Sequence, residues 1–130
     1  MQSRTVKKCL KEIVSPSLSE LGFQLREQVT VERERIWCYW KVINGEKCEI
    51  IFRVSILNTI TVDLIIPPMI QISLVDVDPQ ASFDTKMWGY RFDSEEQFRE
   101  QLKALTGLLL EKGVPRLEQM ANRGKPGPYA

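Results

Sequence analysis

Three cysteines, seventeen carboxylates and no histidine are what this 130-residue chain brings to chemistry. The missing histidine removes Ser-His-Asp and Cys-His catalysis, His-containing zinc sites and the imidazole pH switch together. Carboxylates, Lys, Arg, Tyr or a lone thiol remain. Cys9, Cys38 and Cys48 form an odd set without Cys-x-x-Cys spacing, the usage of reduced, buried thiols in a reducing compartment. Asp76, Asp78 and Asp84 carry the oxygens a hard cation takes, but the glycine and the bidentate Glu of a calcium loop are missing, so they read as solvated turn residues. Glu32, Glu34, Glu49 and Asp63 lie on strands and would suit general acid and base work if they converged. On a sheet with one wet face such residues are normally the solvated side. The glycines are scattered and none opens a helix as a phosphate loop requires. The expectation is no catalytic residue, no metal site and no cofactor.

Charge sets the next limit. A net charge of +1 is too small for the field that nucleic-acid or anionic-membrane binding relies on. Arg4, Lys7, Lys8 and Lys11 read as the solvated face of a helix. Val54 to Leu74 is interrupted by Asp63, Pro67 and Pro68 and alternates in polarity, so it does not read as a membrane span. The first twenty residues lack a signal peptide's apolar run, and the cytoplasm is the expected compartment.

The elements that must position these groups follow from periodicity. Val6, Cys9, Leu10, Ile13 and Val14 repeat at helical spacing, continued by Leu18 and Leu21 past a kink or restart at Ser15-Pro16, and Gly22-Phe23 closes the helix. Strands follow: Ile36 to Trp40, then Cys48 to Ile56 in clean alternation, with Asn44 and Gly45 between them. Ile50 to Ile66 as one strand would span about 55 Å, so it must turn, at Leu57, Asn58 and Thr59. A third strand presents Ile60, Val62, Leu64 and Ile66, and a fourth Ile70, Ile72 and Leu74. Asp76 to Arg91 is the longest loop, and Trp88 to Phe92 offers a short fifth strand at its end. Asp93 or Ser94 caps a helix with Phe98, Leu102, Leu105 and Leu109 on one stripe. Gly113 is expected to end it, and Val114-Pro115 to start a last turn through Leu117 and Met120. The fold class is α+β: an antiparallel meander of four to five strands packed on one face by an N-terminal helix and a long C-terminal helix. Residues 1–122 read as one domain and 123–130 as a flexible tail.

Register is argued from parity, since directly opposed residues share a face. An odd loop of about three residues pairs Ile36 with Val54, Cys38 with Phe52 and Trp40 with Ile50, and is preferred to a two-residue Asn44-Gly45 turn that would oppose Trp40 to Glu49. It leaves Cys38 and Cys48 about 13 Å apart, too far for a disulfide. The face away from the helices then carries Trp37, Tyr39, Ile51, Leu57, Ile65 and Val75 among Arg33, Arg35, Arg53, Thr61 and Asp63. Aromatic and Arg side chains on a half-polar sheet have the composition of a protein-binding surface.

The order of motifs resembles a bacterial family designated domain of unknown function 4304. The likeness rests on Ser15-Pro16, Leu18 and Leu21-Gly22-Phe23, then a meander, then Trp88-Gly89-Tyr90-Arg91, Ser94-Glu95-Glu96 and a helix closing on Gly113-Val114-Pro115-Arg116-Leu117-Glu118. The resemblance implies a small cytosolic α+β protein, similar in size and layout to immunity proteins of toxin systems, and assigns no catalytic residue. The expectation is a non-enzymatic protein-interaction or immunity-like domain, with Trp37, Tyr39, Arg53, Trp88, Tyr90 and Arg91 as the partner-binding candidates. The alternative is a small-molecule pocket between the sheet and the 76–91 loop; self-association as a homodimer is a third expectation.

Overall fold

The computed structural model describes residues 1–31, 34–67, 70–74 and 90–123. Two helical arms and an antiparallel sheet make an α+β fold. The first arm runs as α1 (Ser3–Cys9), a π-helical turn at Leu10–Val14, and α2 (Ser15–Glu20). Pro16 explains the π turn. Proline has no N–H to donate and its ring crowds the carbonyl four residues back. The backbone widens by one residue just before it, so the Ser15 N–H donates to the Leu10 carbonyl. The second arm repeats the device: α3 (Glu95–Leu108), a π turn at Leu109–Gly113 whose following Val114 N–H donates to Leu109, and α4 (Val114–Arg123) carrying Pro115. The expected stop at Gly113 is therefore corrected. Gly113 lies inside a continuing helix, where a Cβ would come within 2.9 Å of Leu109 Cδ2 and 3.3 Å of Leu74 Cδ1; it is a packing glycine.

The helix ends follow their residue types. Gly22 takes φ 91°, and the Phe23 and Gly22 N–H groups donate to the Leu18 and Ser19 carbonyls, each at 3.0 Å, which satisfies the last carbonyls of α2. Ser94 caps α3 by accepting from the Gln97 N–H at 3.1 Å, while Gln97 Oε1 accepts from the Asp93 N–H at 2.6 Å. Arg99 then joins the arms, 2.8 Å from Glu12 and 3.3 Å from Glu95.

The strands are β1 (Gln24–Val31), β2 (Glu34–Ile43), β3 (Glu46–Ser55), β4 (Thr59–Ile66), β5 (Ile70–Ser73) and β6 (Tyr90–Arg91). They form one sheet in the order β1-β2-β3-β4-β5, and β6 also pairs with β4. β5 lies along Asp63 to Ile66 and β6 along Thr59 and Ile60. β1 was not expected from its sequence. It is an edge strand with a register shift between Arg26 and Val29, a bulge of the kind that discourages edge-to-edge pairing.

The first hairpin corrects the expected register. Asn44 and Gly45 both have positive φ, 53° and 82°, the backbone of the two-residue turn whose twist matches that of paired strands. Trp40 is thus opposite Glu49, Tyr39 opposite Ile50 and Trp37 opposite Phe52. Shifting the register by one residue sends every β2 side chain to the other face. Trp37, at 0 % exposure, and Tyr39, at 1 %, join Cys48, Ile50, Phe52, Val54, Ile60, Val62 and Leu64 in the core beneath the helices. Arg35 goes with them, and Ile36, Cys38 and Trp40 turn to the outer face. The second hairpin turns where expected, on Asn58 with φ 60°, held by Ser55 Oγ, which accepts from the Leu57 and Thr59 N–H groups.

Candidate functional site

Alternation on five neighbouring strands builds the outer face. One row runs Gln24, Trp40, Glu49, Ile65, Gln71, and the next Arg26, Cys38, Ile51, Asp63, Ser73. Ile36, Arg53 and Thr61 make a third. The described helices pack against the opposite side.

Charged side chains on this face pair with one another. Arg26 Nη2 donates to Glu49 Oε2 at 2.9 Å, and the Cys38 thiol donates to the same oxygen at 3.1 Å. Glu49 is only 7 % exposed, and two donors on one carboxylate oxygen offset the loss of water. Arg53 lies 3.3 Å from Asp63 and 3.8 Å from Glu34. Trp40, partly exposed, has Lys47 Nζ 5.4 Å from its ring centroid, within cation-π range.

The reactive groups are chemically quiet. Burial, then the hydrogen bond to Glu49, pushes the Cys38 thiol up to about 12, so it is protonated at neutral pH and not a nucleophile. Burial raises Cys9 and Cys48 as well. Cys38 and Cys48 face opposite sides of the sheet, and all three cysteines are free thiols. Tyr39 is pushed to about 12 by burial; its hydroxyl lies 2.7 Å from Ser15 Oγ and ties β2 to the proline turn. Among the described residues no three His, Cys, Asp or Glu side chains gather to hold a metal ion, and no helix is long and apolar enough to cross a membrane.

The structure separates the sequence-derived candidates. Arg53 lies on the outer face as expected, with Ile51, Thr61, Asp63 and Ile65. Trp37 and Tyr39 are withdrawn into the core by the register, and with them goes the aromatic surface first drawn around them. Tyr90 is buried in β6, opposite Ile60; Arg91 is exposed, 3.9 Å from Asp93. Trp88, the three aspartates at 76, 78 and 84, Arg33, Val75, the expected pocket at the 76–91 loop and all of the 123–130 tail except Arg123, which ends α4, fall outside the described residues. Trp40 and the Arg26–Glu49 pair are the members sequence reasoning missed, and the Asn44-Gly45 dipeptide was the signal that would have found them.

Comparison with known proteins returns no matching family model, no matching curated protein and no matching solved structure.

Proposed function

We propose that this chain is a non-enzymatic interaction domain that binds a partner protein through the outer face of its sheet, centred on Trp40, Ile65 and the Arg53–Asp63 pair. The observation that carries the reading is a partly exposed aromatic side chain, Trp40, in one cross-strand row with Ile65 and beside side chains already locked in ion pairs. An aromatic anchor beside Arg, with charges arranged in advance, is how binding energy concentrates at protein interfaces, and ordering the charges beforehand lowers the entropic cost of association. The protonated Cys38 thiol and the Arg-paired carboxylates support a binding role over a catalytic one. The resemblance of the motif order to the bacterial family adds the proposal of an immunity-type role in the cytoplasm, with a toxin protein as the partner.

Site-specific photo-crosslinking in the native cell tests the reading. A photoreactive residue at Ile65 is expected to capture one partner protein, and one at Ala104, exposed on α3, none. Trp40→Ala with Arg53→Glu should abolish capture while the far-ultraviolet circular dichroism stays unchanged. Equal capture from both positions overturns the proposal, and a product of twice the chain mass assigns the face to self-association.

A further inference from the structure

Arg35 is 8 % exposed, and its Nε has no hydrogen-bond partner. Nη1 donates to the Met1 carbonyl, an uncharged acceptor, and no carboxylate pairs with the guanidinium among the described residues. Burial lowers its pKa with no neighbouring charge opposing the shift. Its row across the sheet is Val54, Ile60 and Tyr90. A buried cation without a counter-charge is among the costliest arrangements a core can hold.

Two residues along the same face, Trp37 is fully buried and its Nε1 also lacks an acceptor. The two Cα positions are about 7 Å apart at strand rise. Both groups are donors only, so an acceptor is what is missing. A water would satisfy the indole but bring no charge to the guanidinium. With Nη1 engaged, the edge of Arg35 left over is the Nε and Nη2 pair, the fork that grips two oxygens of one carboxylate or phosphate.

Met1, whose carbonyl accepts from Arg35 Nη1, also lines a cavity of about 300 Å³ at the start of α1, with Gln2, Thr5, Asn58 and Phe92; Arg35 and Trp37 are not part of that lining. Ser94, Asp93 and Glu95 complete the lining, and the two acidic members already face Arg91 and Arg99.

We propose that Arg35, with the Trp37 indole N–H on the same strand face, is the receptor for a small oxyanion, a carboxylate or phosphate group. This is a second site, on the opposite side of the sheet from the partner-binding face, and does not depend on that reading.

The test is a titration of the wild-type protein with sodium phosphate and with sodium acetate, against sodium chloride at matched ionic strength. The Arg35 Nε and Trp37 Nε1 resonances are followed by NMR, and Tm is followed in parallel for wild type and Arg35→Met. The expected result is a saturable shift of both resonances with at least one oxyanion. Wild-type Tm should then rise by on the order of 5 °C at saturation, with no such rise in Arg35→Met. The anion that acts separates phosphate-bearing from carboxylate-bearing ligands. Absence of saturable shifts with both anions, or an equal Tm response in the two proteins, overturns the proposal. If Arg35→Met does not fold, the wild-type resonances decide alone.

Discussion

The Cys38 thiol donates to Glu49 Oε2 across 3.1 Å, and this contact exists only because Asn44-Gly45 sets both residues on one face of the sheet. Arg26, whose side chain is 49 % exposed, supplies the charge that makes the nearly buried carboxylate tolerable. Removing it by Arg26→Met should cost about 1–2 kcal/mol, less than a fully buried pair would lose, because half of the guanidinium is already in water. Adding Glu49→Leu should recover most of the loss, and urea unfolding of the two singles and the double measures the coupling.

Burial of Cys38, with this hydrogen bond second, makes stability fall at alkaline pH. The folded Cys38 titrates near 12 against an ordinary 9.0, so above pH 9 the unfolded chain loses a proton that the folded chain keeps. Stability is then lost as pH rises, at up to about 1.4 kcal/mol per pH unit for this one group. Tyr39, near 12 against 10.0, adds a loss of the same sign from pH 10 upward. Unfolding free energies at pH 9 and pH 10 should show a shallower slope in Cys38→Ala than in the wild type; identical slopes would mean the thiol is not held protonated.

The two tryptophans on β2 should differ sharply. Trp37→Ala opens a cavity in the core and is expected to cost about 3–5 kcal/mol, whereas Trp40→Ala, on the outer face, should cost about 1 kcal/mol or less. Chemical denaturation separates them, and the opposite ranking would restore the odd-loop register.

Two glycines in the second arm make a matched pair. Gly107 has nothing within 4 Å of an added Cβ and is exposed, so Gly107→Ala should stabilise by about 0.5–1 kcal/mol through helix propensity. Gly113→Ala meets Leu109 and Leu74 and is expected to cost about 1–2 kcal/mol despite the same propensity gain. Thermal unfolding of the two variants reads the difference.

Much of this fold is legible in the sequence where one physical signal dominates. The stripes Val6 to Leu18 and Phe98 to Leu109, the Gly22 cap, the Asn58 turn and the alternating faces of β3 and β4 are all present as expected. Reading fails where two signals compete. β2 is apolar on both faces, Ile36, Cys38 and Trp40 against Trp37 and Tyr39, so burial pattern could not choose between them and turn chemistry did. The buried charges Glu49 and Arg35 made the correct register look unfavourable, since Glu49 needs partners from β1 and β2 that only the folded sheet supplies. Gly113 signals a helix stop by type, yet it is required by the closeness of Leu109 and Leu74. β1 carries few strong strand formers and is held by a single neighbour. On the outer face, Arg53, Asp63 and Ile65 sit where the reading of β3 and β4 put them, and the errors lie on β2, whose register slipped, and on β1, which the pattern did not show.

Everything assigned to the outer face follows from the pairing of β2 with β3, and cross-strand nuclear Overhauser contacts measure that pairing directly. Amide–amide or Hα–Hα contacts are expected between Trp40 and Glu49, Cys38 and Ile51, and Ile36 and Arg53. Contacts of Trp40 with Ile50 and Cys38 with Phe52 in their place would return Trp37 and Tyr39 to the surface and contradict the proposed binding face.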